Sequence, residues 1–238
     1  MLVLFDIDGT ILETYSAGRR ALIAAMNLVR PGHDYTLDGV QVSGRLDPLI
    51  LGDLAAKYDV EVTPEIMDRF REAYGADLGR QIQSGQARID LLPGVSELVG
   101  IVHEWKDVTL GLLTGNWPET GALKIRTAGL DPSLFTVCAW GSDAPNRPGL
   151  IPVALEKYAE SIGGDLENKH VIVIGDTPHD IDCASSNGCR SLAVATGRFT
   201  LEELSEHDPD LAVQDLSDTS MLADWMQGFL ETDTDETG

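Results

Sequence analysis

Short apolar runs recur along the chain, most of them ending on a polar cluster and giving way to helix-like sequence. Residues 2–5 run into Asp6, 108–113 into Thr114, 136–140 into Gly141-Ser142-Asp143, and 170–174 into Gly175-Asp176. A fifth run covers 191–195, and 211–213 reads as a short edge strand. Strands separated by helices pair in parallel through crossovers, and near-continuous hydrophobicity marks strands covered on both faces. The pattern predicts an α/β fold: a Rossmann-like three-layer core around a parallel sheet.

The helices between these runs have readable ends. Pro93-Gly94 precedes one that runs to Trp105, with Val95, Leu98, Val99 and Val102 at helical spacing. Pro118 sits just inside another that stops at Gly129, and Thr177-Pro178 opens a third that stops at Gly188. The interval 13–89 breaks the alternation. Ala21, Leu22, Ala25, Met26 and Val29 share one helical face, and Asp47-Pro48 and Thr63-Pro64 each read as a cap followed by a first-turn proline. A parallel crossover needs only ~12 residues. The excess predicts an inserted α-helical cap domain over 13–89, with the catalytic core made of 1–12 and 90–230. The acidic tail, 231–238, is expected to be disordered.

Asp and Glu number 39 against 17 Lys and Arg, for a formal net charge of −22. Such a surface repels nucleic acid and anionic membranes, so neither is an expected partner. It also repels a phosphorylated substrate, so a site for one needs local positive charge from a metal ion or from chosen Arg and Lys residues. The acidic excess also matches proteins adapted to high salt. No apolar run approaches the ~20 residues of a membrane helix. The apolar N-terminus stops at an acid, with no basic segment or small-residue cleavage site. A cytoplasmic location is expected, and no obligatory protein partner is evident. Cys138, Cys183 and Cys189 lack CxxC spacing and the five histidines are scattered, so neither a disulfide framework nor a zinc site is expected.

In an open parallel sheet, ligands bind beyond the carboxyl ends of the strands. That edge should collect Asp6 and Asp8, then Thr114-Gly115-Asn116, then Asp143 and Arg147-Pro148, then Asp176 with Asp180 one helical turn on. Acids crowded together repel one another unless a cation intervenes, and hard oxygen ligands suit Mg²⁺. Asp6 and Asp8 are two apart, so an extended backbone points both to one face, and Gly9 lets the chain turn. One carboxylate can attack while its neighbour handles a proton. The hydroxyl of Thr114 and the amides beside it can hold phosphoryl oxygens, and Arg147 can pair with them.

Asp6-Ile7-Asp8-Gly9-Thr10, Leu113-Thr114-Gly115-Asn116, Arg147-Pro148 and Gly175-Asp176-Thr177-Pro178-His179-Asp180 together resemble the four ordered motifs of the haloacid dehalogenase superfamily. The helical insertion falls where the phosphoglycolate phosphatase-like and β-phosphoglucomutase-like group of that family places its cap. The resemblance implies a Mg²⁺-dependent phosphatase acting on a small phosphorylated metabolite through an aspartyl-phosphate. Asp6 would be the nucleophile. Asp8 would carry the proton and lend its backbone carbonyl to the metal. Thr114, with Gly115 and Asn116, would bind the phosphoryl group, and Arg147 would neutralise charge. Asp6, Asp8, Asp176 and Asp180 would make up the metal set, Asp180 as a ligand or as support for one.

The family's third motif usually offers lysine, and Arg147 takes that place here in preference to Lys157, which helix spacing puts about two turns deeper. Arg45, in Gly44-Arg45-Leu46-Asp47, falls where related enzymes place a substrate-contacting loop; a surface arginine before a helix is the plainer alternative. Asp143 either supports the cation or caps a loop, and His179 reads as a helix-start residue. A phosphomutase of the same fold is the main competing function. A dehalogenase is disfavoured by Asp8, Asp176 and Asp180. A Schiff-base phosphonate hydrolase is disfavoured because Lys57 is the only lysine in 13–89, and a non-catalytic phosphate-binding module because both Asp6 and Asp8 are present.

Overall fold

A computed structural model of the chain describes residues 1–231; apart from Glu231, the tail expected to be disordered lies outside the described residues. Six parallel strands form the main sheet in the order β5-β4-β1-β6-β7-β8. They are β1 (Leu2–Phe5), β4 (Thr109–Leu113), β5 (Val137–Ala139), β6 (Val171–Gly175), β7 (Arg190–Val194) and β8 (Leu211–Val213). The apolar runs mark these strands to within a residue or two, and 211–213 is the edge strand. β1 is buried along its whole length, as its unbroken hydrophobicity requires. It lies between β4 and β6, so Asp6, Thr114 and Asp176 emerge from three adjacent strands at one edge.

Helices α4 (Val95–His103), α5 (Pro118–Ala128), α6 (Leu150–Ser161), α7 (Pro178–Ser186), α8 (Leu201–Ser205) and α9 (Thr219–Glu231) complete the alternation. Two apolar clusters pack against the two faces of the sheet, one built on Val3, Phe5 and Leu112, the other on Leu2, Leu4 and Val173. Neighbouring β1 residues enter different clusters because strand side chains alternate between faces. No described helix is long and apolar enough to cross a membrane.

The interval between the first two core strands holds α1 (Ala17–Val29), α2 (Asp47–Lys57) and α3 (Pro64–Gln83). All five residues of the expected α1 stripe are buried, and the three helices share a cluster of their own that includes Leu22, Leu51 and Phe70. Thr63 caps α3 as the sequence suggests, its hydroxyl accepting from the Ile66 N–H at 3.3 Å. Asp47 departs from its expected role. The helix begins at Asp47 itself, with Leu46 in the cap position and no side-chain capping bond. The Asp47 carboxylate accepts instead from the Trp117 N–H of the core at 3.2 Å.

Two features of this junction have no counterpart in the sequence pattern. The insertion is rooted in a two-stranded antiparallel ribbon, β2 (Leu12–Glu13) with β3 (Asp90–Leu91), too short to leave a periodic signal. Trp117, although it follows a core strand, is buried in the cluster of the inserted helices, its ring 5.9 Å from that of Tyr74 and 6.1 Å from that of Phe70. Aromatic pairs at these separations add ~0.5–1.5 kcal/mol each beyond area burial. The start of α5 is therefore plugged into the insertion.

Candidate active site

The carboxyl ends of β1, β4 and β6 open into a cavity of about 610 Å³, closed on its far side by the inserted helices. Asp6, Asp8, Asn116, Arg147 and Asp176 line its floor, and Arg19, Arg45, Asp47 and Tyr74 line the opposite wall. Asp6, Asp176 and Asp180 are all buried, and each offers an oxygen within 4.8 Å of the others. Burial, countered by the charge of Arg147, raises the Asp6 carboxyl to about 6. Asp176 is raised well above the usual carboxylate range, by burial first and then by the charges of Asp180 and Asp6.

Arg147 is the cation set among these acids. Its guanidinium is 3.1 Å from Asp6 and forms a short ion pair with Asp180. Burial alone would lower its pKa, but the charges of Asp180 and Asp6 raise it. The same side chain donates to the Gly44 carbonyl of the insertion at 3.3 Å, while its Nε is buried without a partner. Lys157 lies elsewhere, donating to the Cys138 carbonyl at 2.7 Å and paired with Asp143 at 2.6 Å. Asp143 also accepts from the Trp140 N–H at 3.0 Å, which makes it a loop cap.

One arginine among three buried carboxylates leaves negative charge uncompensated, and these groups fit a divalent cation. The backbone around Asp176 is shaped for its carboxylate: a Cβ on Gly9 would lie 2.5 Å from Asp176 Oδ2, and one on Gly197 only 1.8 Å away. Asp180 is held on both oxygens, by Arg147 on one side and by the Thr177 N–H (3.1 Å) and hydroxyl (2.7 Å) on the other. It is placed to position Arg147 and the start of α7.

The remaining expected residues are distributed less simply. Thr114 is fully buried, its hydroxyl accepting from the Asn116 side-chain amide at 2.9 Å, and it lies beneath Asn116 and does not line the cavity. Gly115 and Asn116 do line it. Arg45 reaches the cavity wall but is paired with Asp53 at 2.8 Å. His179 contacts Gln41 of the insertion at 2.7 Å, so it does more than start a helix.

The largest omission from the sequence reading is Lys124. Its ammonium donates to both oxygens of Asp8, at 2.9 and 2.7 Å, and to the Asn116 side-chain carbonyl at 2.6 Å. Asn116 completes the triangle by donating to Asp8 at 2.8 Å. Burial would lower the Lys124 pKa, but the charges of Asp8, Tyr74 and Asp47 raise it. A signal was present: Lys124 lies four and seven residues beyond Thr120 and Trp117, on the face of α5 that carries both into the interior.

Asp47 adds a testable pH dependence. Burial, opposed by Lys124, raises its carboxyl from 3.8 to about 7. A carboxyl whose folded pKa exceeds its unfolded one binds its proton more tightly when folded. Its contribution therefore favours the folded state below the unfolded pKa and is lost as pH rises toward the folded value. Asp47→Asn keeps an acceptor for the Trp117 N–H without the titration. The wild type should lose stability relative to this variant between about pH 4 and pH 7, measured by urea unfolding at several pH values; parallel profiles would count against it.

Several other proteins are similar to this chain. A HAD-hydrolase-like family model matches residues 145–219, the segment carrying Arg147, Asp176 and Asp180. Pyrophosphatase PpaX of Halalkalibacterium halodurans is 26% identical over 217 residues, 91% of this chain and 93% of that protein. A phosphoglycolate phosphatase of Vibrio vulnificus is 25% identical over 225 residues, 91% of this chain and 92% of that protein. The chain is similar to haloacid dehalogenase-like hydrolases. Solved structures share its fold. A predicted phosphoglycolate phosphatase of Haemophilus somnus superposes with a TM-score of 0.67 at 20% identity, over 93% of this chain and 97% of that chain. A β-phosphoglucomutase of Clostridium difficile superposes with a TM-score of 0.70 at 17% identity, over 96% and 98%.

Proposed function

We propose that the protein is a Mg²⁺-dependent phosphatase that hydrolyses a small phosphomonoester by way of a phosphorylated Asp6. The observation that carries this reading is the buried triad of Asp6, Asp176 and Asp180, gathered around one arginine at the floor of the cavity. Asp6 and Asp176 would hold the ion with the Asp8 carbonyl, and Asp180 would act mainly through Arg147. When bound, the ion supplies charge neutralisation between the incoming phosphoryl group and the acids.

Asp6 attacks phosphorus and the bond to the leaving oxygen breaks; Asp8 gives that oxygen its proton. A water then attacks the phosphorylated Asp6, loses a proton to Asp8, and releases inorganic phosphate with Asp6 restored. Arg147, which touches Asp6 and has a buried Nε free, holds the phosphoryl oxygens through the transfer. Residues 13–89 serve as a cap that excludes water and limits the size of the substrate, and the cavity volume suits a small metabolite. The named relatives are enzymes of phosphoglycolate and pyrophosphate, which sets the first substrates to try.

Purified protein should release phosphate from para-nitrophenyl phosphate when Mg²⁺ is present and lose that activity with a chelator, recovering it on re-addition of the ion. Turnover that ignores the chelator would overturn the metal assignment.

A further inference from the structure

We propose that Lys124 is a positioning residue that couples the orientation of the proton carrier, Asp8, to the docking of the inserted helices. The inference rests on the role given to Asp8 above. Lys124 is only 4% exposed at its side chain, while that of Asp8 is 40% exposed and faces the cavity. An aspartate that open to the cavity has several rotamers available. Three hydrogen bonds from Lys124 and Asn116 select one of them.

The same ammonium faces the insertion. A Cβ on Gly18 of α1 would lie 3.4 Å from the Tyr74 hydroxyl of α3 and 3.8 Å from Lys124 Nζ, and the charge of Asp47 at the start of α2 acts on the ammonium. Lys124 thus bonds to Asp8 of the core while its ammonium lies against the helices of the insertion. The contact is reinforced on either side. Asp47 donates its N–H to the Gly115 carbonyl at 2.7 Å and accepts from the Trp117 N–H. A Cβ on Gly115 would lie 2.1 Å from the Arg45 carbonyl, so the two backbones meet at a distance only glycine allows. With the insertion displaced, Lys124 would lose Tyr74 and Asp47, and water would enter beside the Asp8 pair. An ion pair whose buried ammonium is opened to water loses most of its geometric hold. Asp8 is then aimed only when the cavity is closed, which keeps proton transfer away from bulk solvent.

Lys124→Met and Lys124→Arg test this with two substrates, phosphoglycolate and para-nitrophenyl phosphate. An alkyl leaving group needs the proton of Asp8, whereas nitrophenolate departs without one. The Met variant should lose about 10²-fold or more in kcat on the alkyl ester. On the aryl ester it should show a burst of nitrophenolate followed by slow turnover, as phosphorylated Asp6 waits for its water. The Arg variant should recover part of the loss. Equal losses on both substrates without a burst, or a kcat within threefold of wild type, would overturn the proposal. If Lys124→Met does not fold, Tyr74→Phe removes only the hydroxyl that the insertion sets near the ammonium, and the same substrate-dependent split is expected; its absence overturns the proposal. An Asp6→Asn variant run in parallel separates the two readings, because activity retained there would refute the nucleophile assignment and not the clamp alone.

Discussion

Asp6→Asn is expected to reduce turnover by at least ~10³-fold, in keeping with the loss of a group that forms a covalent intermediate. The amide has nearly the shape of the carboxylate but no nucleophilic oxygen of comparable strength. The variant should fold. Asp6 is buried beside Asp176 and Asp180, and its carboxyl is raised to about 6, so ionisation at neutral pH works against the folded state. Removing that charge should leave the metal-free protein as stable as wild type at pH 7.5, or more so. Initial rates and urea unfolding measure both outcomes. Mass spectrometry of acid-quenched protein should find phosphate on the wild type and none on the variant. Product release at the wild-type rate would end the proposed mechanism.

Arg147→Met should have the second largest effect, and in stability as well as rate. The guanidinium is buried and pairs with two buried acids, Asp6 and Asp180. Truncating one partner of such a pair leaves charge without compensation and costs about 3–5 kcal/mol. Without metal, the free energy of unfolding extrapolated from urea should fall by that amount, and Mg²⁺ should restore more stability to the variant than it adds to the wild type. Turnover should fall with it, because Arg147 is the cation nearest the nucleophile. A variant within about 1 kcal/mol of wild type would show that the pair is not a structural centre. Near-normal turnover would remove Arg147 from the mechanism.

The two substitutions differ in sign for a reason visible in the cluster. Three acids and one arginine carry a surplus of negative charge. Taking away an acid relieves it and taking away the arginine worsens it, while a divalent cation acts in the same direction as the first change. Lys157 shows why charge alone did not identify the cation: it is bonded to Asp143 and the Cys138 carbonyl, away from the cavity.

Much of the core was legible because each element carries its own burial pattern. An unbroken apolar run such as 2–5 specifies a strand covered on both faces, and an acid directly after it specifies the edge where ligands collect. Asp6, Asp8, Asp176, Asp180 and Arg147 could therefore be placed at one edge from order and spacing. That helices intervene between the first two core strands was legible from the excess length there and from the stripe on α1. The ribbon formed by β2 and β3 was not, because two residues make no period. Thr114 and Arg45 were read as substrate groups by position, yet one is buried under Asn116 and the other is paired with Asp53.

By itself, the sequence determined the parallel α/β core, the insertion after its first strand, and the acids that the strands deliver. Only the tertiary structure decided the partner of Asp8. Lys124 lies 116 residues from it, on the buried face of α5, and meets it beside Asp47 and Tyr74 of the insertion. Periodicity records which face of a helix is buried, but not what that face will meet. That depends on where a crossover and the inserted helices come to rest against each other, through packing such as that of Trp117 in their cluster.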